Sequence, residues 1–237
     1  MKEPFVKLLD YTKDPLKVIW LARRIMEQEI PESIDEVNVS EEELKENFRR
    51  IVKEIPTPLE FVNTIWLFKN VSRQFTHQLV RTRTATFAQQ SMRVVRKEDF
   101  FDKGHYYIPP KIQKDEKKKA FLEKAMCTIQ NLYREALSMG FDIEDARIIL
   151  PIGIHTCIMM RIDYRNLRHF LIQRLCDLAQ AEIRMVAQKM KTEIRNKMGA
   201  IFAEPIDKPC IALGICQLPY NPCEFRDQYL AKKANRE

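Results

Sequence analysis

The length and composition of the chain indicate a folded protein with a substantial core. Its 237 residues are 45% hydrophobic and 31% charged, which suits one or two globular domains and excludes a disordered chain. The opening residues carry frequent charges and no apolar run reaches about 18 residues, so we expect no signal peptide and no membrane span, but a soluble cytoplasmic protein. Six irregularly spaced cysteines favour reduced thiols over a disulfide framework.

The first part of the chain predicts a strand followed by helices. Residues 5–11 alternate in the manner of a strand, and Pro15 suits the first turn of a helix. Ser40 followed by Glu43 has the pattern of a capping box, which opens a short helix to about Lys53.

The next elements lead towards a strongly basic region. The segment PTPLE (56–60) predicts a proline-punctuated loop, residues 62–70 a strand, and residues 72–83 a helix. The end of that helix would deliver Arg81 and Arg83 to the following loop.

The stretch from Phe61 to Lys97 contains no Asp or Glu, although the formal net charge of the whole chain is only +7. Its cations are Lys69, Arg73, Arg81, Arg83, Arg93, Arg96 and Lys97. Concentrated arginine favours bidentate recognition of a compact anion such as phosphate. The five glycines form neither of the glycine-rich phosphate-binding patterns, so guanidinium groups, hydroxyls and helix N-termini would have to hold the anion.

The second half of the chain is predicted to be helical. Apolar residues recur at helical spacing over 121–137, and Gly140 stands where a C-terminal cap belongs. Pro151 and Gly153 then interrupt the chain before a long predicted helix over 164–198.

Arg174 occupies the apolar stripe of that long helix. The stripe consists of Leu167, Leu171, Arg174, Leu178, Ala181 and Met185. A buried arginine must be paired or must face a polar cavity, because an unpaired buried cation costs several kcal/mol. Pairing with Asp177 or Glu182, escape of the side chain to solvent, and an arginine aimed into a ligand pocket all satisfy the pattern.

The segment SRQFTHQLVRTRTATFAQQSMR (72–93) resembles the flavin-dependent thymidylate synthases. Their signature is Arg-His-Arg, seven residues, then Ser, often followed by x-Arg. This chain supplies Arg81, Thr82 and Arg83, then seven residues, then Ser91 and Arg93.

A second block, residues 145–187, is similar to the other half-site of the family, and TPLE (57–60) resembles its Thr-Pro-x-Glu turn. The matching positions of the second block are Arg147, Asp163, Arg165, His169 and Arg174. The resemblance spans about residues 5 to 200 in the same order.

The fold expected on these grounds is a helix-rich α+β domain with a small antiparallel sheet and a long C-terminal helix. We expect this single domain over residues 1–205, followed by a cysteine-containing tail over 206–237. The resemblance implies a homotetramer with active sites shared between subunits.

The resemblance also implies an activity, the C5 methylation of deoxyuridine monophosphate to thymidylate. The one-carbon unit would come from methylenetetrahydrofolate, and the hydride from FAD reduced by NADPH. Neither a metal nor a nucleic-acid partner is implied.

Residue roles follow from the same resemblance. The implied nucleotide contacts, chiefly around the phosphate, are Gln78, Arg81, Gln89, Gln90, Ser91, Met92, Arg93, Arg147 and Arg174. The implied flavin contacts are Thr57, Arg81, Thr82, Arg83, Gln89, Asp163, Arg165 and His169. Arg174 matches the arginine that faces the pyrimidine, where a fixed cation stabilises negative charge on the ring and cannot act as a base.

Four family histidines are absent. The residues in their places are Ile55, Phe61, Thr82 and Leu178; in addition Gln89 replaces a frequent Glu, and Asp163 replaces Asn. The implied phosphate contacts are intact, whereas the flavin and folate side is altered. One alternative is therefore a relative that acts on another pyrimidine monophosphate or delivers a hydroxymethyl group.

Two further alternatives have different functions. The basic stretch has interleaved aromatic residues, namely Trp66, Phe68, Phe75 and Phe87, as in a nucleic-acid-binding module. A flavin-less paralogue that senses a nucleotide would share every phosphate contact.

The three cysteines of the tail are the candidate metal ligands of the sequence. Cys210, Cys216 and Cys223 could bind zinc with a fourth ligand, but their spacing is poor for a standard site, and we expect no metal.

Overall fold

The computed structural model describes residues 2–25, 30–216, 220–221 and 223–228. The strands are β1 (Phe5–Tyr11), β2 (Asn63–Ser72), β3 (Thr86–Gln89) and β4 (His155–Asp163). The helices are α1 (Pro15–Arg24), α2 (Glu41–Lys53), α3 (Arg73–Leu79), α4 (Pro110–Gln113), α5 (Glu116–Ser138), α6 (Ile143–Ala146), α7 (Tyr164–Arg174), α8 (Ala181–Lys197), α9 (Ala200–Ala203) and α10 (Pro209–Ala212). Short 3₁₀ turns lie at Ile34–Glu36, Thr57–Phe61 and Arg147–Ile149.

The four strands form one antiparallel sheet in the order β1-β2-β4-β3. The helix-rich α+β class expected from the sequence is therefore confirmed. The backbone contacts group the chain into two compact units. Of the described residues, the first unit holds those up to Lys7 and those from Leu67 to Met160, and the second holds those from Leu8 to Trp66 and those from Arg161 onward.

The first unit is built around α5. Buried residues of this unit form the cluster Phe100, Tyr106, Ile108, Met126 and Ile154. Gly140 ends α5 with a φ of 88°, and the amide of Phe141 donates to the carbonyl of Ala136. Such a left-handed residue after a helix favours glycine, so the predicted cap is confirmed.

The second unit has an aromatic core. The rings of Phe48, Tyr164 and Phe202 contact one another, with centroids 4.8 to 5.9 Å apart. The hydroxyl of Tyr164 donates to the carbonyl of Phe202, which satisfies the one polar atom of the cluster. Ser40 caps α2 by accepting from the amide of Glu43, as the sequence predicted.

Two predicted helices have different bounds in the structure. Helix α3 ends at Leu79 and not at residue 83, and the chain continues in turns closed by hydrogen bonds from Arg81 to Gln78 and from Thr82 to Leu79. The long helix predicted over 164–198 is two helices, α7 and α8, with residues 175–180 between them. The side chain of Gln180 starts α8 by accepting from the amide of Ile183.

This break changes the expected apolar stripe. Leu167 and Leu171 are buried, whereas Leu178, beyond the end of α7, is 39% exposed. Arg174 is therefore the last residue of a helix and does not lie in the middle of one. Among the described residues, no helix combines the length and the apolar composition that a bilayer crossing requires.

His155, the first residue of β4, is a buried histidine with a strongly shifted pKa. It is 3% exposed, and its Nδ1 has no hydrogen-bond partner among the described residues. Burial, with further contributions from His105 and Lys97, lowers its pKa from 6.5 to about 3. The folded protein thus keeps this imidazole neutral in a pH range where the unfolded chain would protonate it.

We predict that His155 makes the protein less stable in mild acid. A depressed histidine pKa means that the unfolded state binds more protons between about pH 6.5 and 3, so stability falls as the pH is lowered through that window. The expected loss between pH 7 and pH 5 is about 2 kcal/mol of unfolding free energy, measured by urea unfolding. The His155→Gln variant has no imidazole at this position, so its unfolding free energy should fall by about 2 kcal/mol less than that of the wild type over the same pH interval. Equal losses in both proteins would contradict the assignment.

Candidate active site

Helix α3 starts at a fixed point in the first unit and carries Arg73. The Ser72 side chain accepts from the amide of Phe75 at 3.0 Å, which sets the first turn. The amide of Arg73 donates to the carbonyl of Ile154 at 3.0 Å. These bonds tie the helix start to the chain before β4, so the base of the Arg73 side chain is held in place.

Arg73 lines a cleft together with Arg147, which follows α6. We call this the arginine cleft; its volume is about 640 Å³, and its polar lining residues are Arg73, His77, Glu144, Asp145 and Arg147. Burial, and to a lesser extent the charge of Arg147, lowers the pKa of Arg73. Two guanidinium groups that repel each other in a partly buried cleft form a site suited to an anion.

Glu144 holds the arginines in this region. Its carboxylate accepts from Arg93, with Nε and Nη2 both 2.6 Å from the same oxygen. Its backbone carbonyl accepts from Nε of Arg147 at 2.9 Å. The side chains of Arg93 and Glu144 are 62% and 49% exposed, so solvent screens this pair and it adds little stability. Replacement of Glu144 by another anion as the partner of Arg93 would therefore cost little free energy.

The loop around β3 is anchored by its amides. The side chain of Gln89 donates to the hydroxyl of Thr76 at 2.8 Å, and the backbone amide of Gln90 donates to the carbonyl of Cys157 at 2.9 Å. The ammonium of Lys97 donates to the side chain of Gln90 at 2.9 Å, and burial lowers the pKa of Lys97. These contacts order the segment that leads to Ser91.

Ser91 itself caps the turn before Arg93. Its hydroxyl accepts from the amide of Arg93 at 3.2 Å, and Met92 between them lines the arginine cleft. The structure thus brings Met92, Arg93 and Arg147 of the predicted nucleotide contacts to one region, with Ser91 adjacent in the chain.

The other predicted arginines of the first unit lie apart from that cleft lining. Arg81 and Arg83 are exposed and form no ion pair or side-chain hydrogen bond with any described residue. Gln78 and Thr82 are half-buried near the end of α3 and do not line the cleft either.

Sequence reasoning missed two residues of the arginine cleft, Arg73 and His77. Both lie on α3 at positions i and i+4, and both belong to the stretch without acids. Their spacing of four residues places both side chains on one face of a helix and could have identified them as a pair. The helix predicted over 72–83 instead places Arg81 and Arg83 at its end, where the sequence predicts the site residues.

The second unit contains the predicted flavin contacts at the start of α7. Asp163 caps that helix, accepting from the amide of Asn166 at 3.0 Å and from its side-chain amide at 2.7 Å. Arg165 forms an ion pair with Glu60 of the turn Thr57–Phe61. His169 is hydrogen-bonded to Gln173 one turn later at 2.9 Å. The turn and the first half of α7 are therefore held together.

Arg174, at the end of α7, has one buried donor that no described residue satisfies. Its guanidinium carbon lies 5.7 Å from the centroid of the Phe170 ring, and burial lowers its pKa. Its Nε is buried without a hydrogen-bond partner in the described residues. Asp177, one of the partners considered from the sequence, is instead paired with Lys208 at 2.6 Å. A buried donor without an acceptor is uncommon in folded proteins, so this atom requires a partner beyond the described residues.

Two of the four positions without the family histidines, Ile55 and Phe61, line an apolar groove. Ile55 and Phe61 are 60% and 59% exposed, and with Thr57 and Pro58 they line a groove of about 910 Å³ in the second unit. The groove is also lined by Val18 and other apolar residues of α1. An aliphatic and an aromatic wall can stack against a flat ring, but they cannot donate or accept hydrogen bonds as histidine does.

Comparison with known proteins gives a consistent result. The family model described as "Thymidylate synthase complementing protein" matches residues 7–198. The flavin-dependent thymidylate synthase of Pyrococcus abyssi is 36% identical over 217 residues, which cover 89% of this chain and 88% of that protein. The enzyme of the same name from Clostridium tetani is 32% identical over 216 residues, covering 83% and 84%.

A solved structure resembles the fold. It is the UMP/dUMP methylase PolB from Streptomyces cacaoi bound with 5-Br dUMP, with a TM-score of 0.69 and 20% sequence identity. The likeness covers 86% of this chain and 94% of that chain. At this identity the comparison supports the architecture alone.

Proposed function

Because this chain belongs to the flavin-dependent thymidylate synthase family, we propose that it methylates C5 of deoxyuridine monophosphate and releases thymidylate. It is an enzyme of the methyltransferase type, and its cofactor is a flavin. The relatives carry this name at 31 to 36% identity over most of the chain. They do not favour the altered methylase or the nucleic-acid-binding module considered from the sequence.

The arginine cleft is the observation that supports the proposal most directly. Arg73 and Arg147 are close enough for the charge of Arg147 to lower the pKa of Arg73, and no carboxylate of the described residues forms an ion pair with either. A nucleotide phosphate would relieve that repulsion and would replace Glu144 as the partner of Arg93. Ser91, whose hydroxyl already faces the amide of Arg93, would add a neutral donor.

Arg174 is proposed to act on the pyrimidine ring. Uracil C5 becomes nucleophilic when negative charge builds on N3 and O4, and a preorganised guanidinium beside those atoms stabilises that form. The buried Nε of Arg174 offers a donor that no described residue satisfies. Arginine does not give up its proton at neutral pH, so this residue stabilises the charged ring and another group must receive the C5 proton.

The residues present fit a flavin dinucleotide. Arg81 and Arg83 offer two exposed guanidinium groups, unpaired within the described residues, that suit its diphosphate. Thr57 and His169 supply a hydroxyl and an imidazole at positions that the family pattern assigns to the same cofactor. When bound, the flavin supplies the reducing equivalents of the reaction. Thr82, Asp163, Arg165 and Gln89 complete the proposed set, the last three mainly by holding their elements in place.

The finer parts of the proposal follow the family pattern. We propose FAD as the flavin, NADPH as its reductant and methylenetetrahydrofolate as the one-carbon donor. The proposed assembly is a cytoplasmic homotetramer with active sites shared between subunits. The apolar groove at Ile55 and Phe61 would receive a flat ring by stacking in place of histidine hydrogen bonds.

We predict a single methylated product from one substrate. Purified protein with FAD, NADPH and methylenetetrahydrofolate should convert deoxyuridine monophosphate to a product heavier by roughly 14 mass units, detected by mass spectrometry. Reactions without flavin, and reactions with uridine or deoxycytidine monophosphate, serve as controls and should give none. Flavin-independent turnover would refute the proposal, and so would a hydroxymethylated product or no flavin uptake.

We predict that Arg174→Lys separates turnover from binding. Lysine keeps the charge but not the planar fork, so kcat should fall by about 100-fold or more, while the Kd for deoxyuridine monophosphate changes only a few-fold. The matched control is Arg195→Lys on the exposed face of α8, which should leave both constants unchanged. Melting temperatures of both variants identify any loss of folding. Wild-type turnover in a folded Arg174→Lys protein would remove Arg174 from the mechanism.

A further inference from the structure

A small pocket in the second unit is lined by four of the six cysteines of the chain. They are Cys176, Cys210, Cys216 and Cys223. The pocket has a volume of about 60 Å³, which is room for an ion or one or two water molecules but not for a nucleotide or a flavin. None of the described cysteines is in a disulfide. The sequence indicated the three cysteines of the tail as possible metal ligands but did not identify a fourth ligand.

The fold supplies the fourth thiol from a different element. Cys176 follows α7 directly, whereas Cys210 lies on α10 and the other two follow it in the chain. An ion pair between Lys208 and Asp177, with Nζ and Oδ2 2.6 Å apart, joins the start of α10 to the segment after α7. The ammonium of Lys208 also lies 3.6 Å from the centroid of the Phe225 ring. These contacts bring residues distant in sequence around one point.

The four thiols line the same small pocket. Several thiolates so close together would repel each other unless a cation lay between them. Arg226, which interacts with Cys216 as well as with Asp227, and Lys208 place two positive side chains at the rim.

We propose that Cys176, Cys210, Cys216 and Cys223 bind one Zn²⁺ ion as a tetrathiolate structural site. Four thiols would release four protons, and the resulting site of net charge −2 would be compensated in part by Lys208 and Arg226. Zinc needs four sulfur atoms at about 2.3 Å, and a pocket of this size lined by four cysteines meets the requirement for number and chemistry.

Within the described ranges, no three His, Cys, Asp or Glu side chains stand close enough together to hold a metal ion, so zinc binding requires the four thiols to move closer to one another. Cys176 directly follows α7, whereas Cys216 and Cys223 lie beyond α10 in the sequence. Zinc would then tie the tail to the end of α7, two residues after Arg174.

The first test is the zinc content of the full chain, purified under reducing conditions in the presence of Zn²⁺. Elemental analysis should give about one tightly bound zinc per chain. Cys176→Ser and Cys210→Ser should each lower that content to below roughly a fifth. Cys127→Ser on α5 and Cys157→Ser on β4 are matched controls, because all six cysteines are similarly half-buried, and both should retain the metal.

The second test uses the unaltered protein, so it does not depend on the folding of a variant. Alkylation followed by peptide mass spectrometry should show that the four pocket thiols are protected until a chelator is added, while Cys127 reacts equally with and without it. A wild-type chain without zinc would overturn the proposal, as would a disulfide among the four. Zinc retained by Cys176→Ser would also overturn it. None of these measurements depends on the proposed methyltransferase activity.

Discussion

The repulsion between Arg73 and Arg147 is the constraint on which the account of this site depends. The charge of Arg147 adds to burial in lowering the pKa of Arg73, and no carboxylate in the described part of the chain forms an ion pair with either guanidinium. Folding holds them together because Arg73 starts a helix fixed by Ser72, while Arg147 follows α6, whose Ala146 is buried against Tyr133. Stability alone would favour separating like charges, so their proximity is best explained by an anionic ligand.

Glu144 supplies the oxygen atoms that accept hydrogen bonds from the arginines in and beside the cleft. Its carboxylate holds Arg93 and its backbone carbonyl holds Arg147, so the guanidinium groups are oriented before a nucleotide arrives. The pair between Arg93 and Glu144 is exposed and therefore weak, and exchange of its carboxylate for a phosphate would cost little. Arg174, by contrast, has a buried donor that no described residue satisfies, which is consistent with a role that is fulfilled only when the base is bound.

Much of the fold could be predicted because its signals are local. The alternation of residue types predicted β1, the capping box of Ser40 and Glu43 predicted the start of α2, and Gly140 predicted the end of α5. The break after α7 could not be predicted, since Gln180 is an unusual helix cap and the apolar spacing continues across the gap. The motif arginines at 93 and 147 were found from the sequence. Arg73 and His77 were not predicted as site residues, because the family motif begins after them and nothing local in the sequence shows that their side of α3 lines a cleft with Arg147.

The same limit applies to the cysteines. Three thiols of the tail are visible as a group in the sequence, but the fourth follows a helix more than thirty residues earlier, and the ion pair between Lys208 and Asp177 joins those two segments in the fold. Ile55 and Phe61, two of the residues in place of the family histidines, show the same limit in another way. The absence of the histidines is plain in the sequence, whereas its consequence, an apolar groove beside Thr57, requires the structure.

The most direct measurement is the contribution of the phosphate group to binding. Calorimetry would compare the Kd values of deoxyuridine monophosphate and deoxyuridine for the wild-type protein and for Arg147→Gln. Because Arg147 would contact the phosphate, the variant should lose about 2 kcal/mol of the binding advantage of the phosphorylated ligand, or roughly 30-fold in Kd, while deoxyuridine binds both proteins equally. An advantage of the same size in both proteins would contradict that contact.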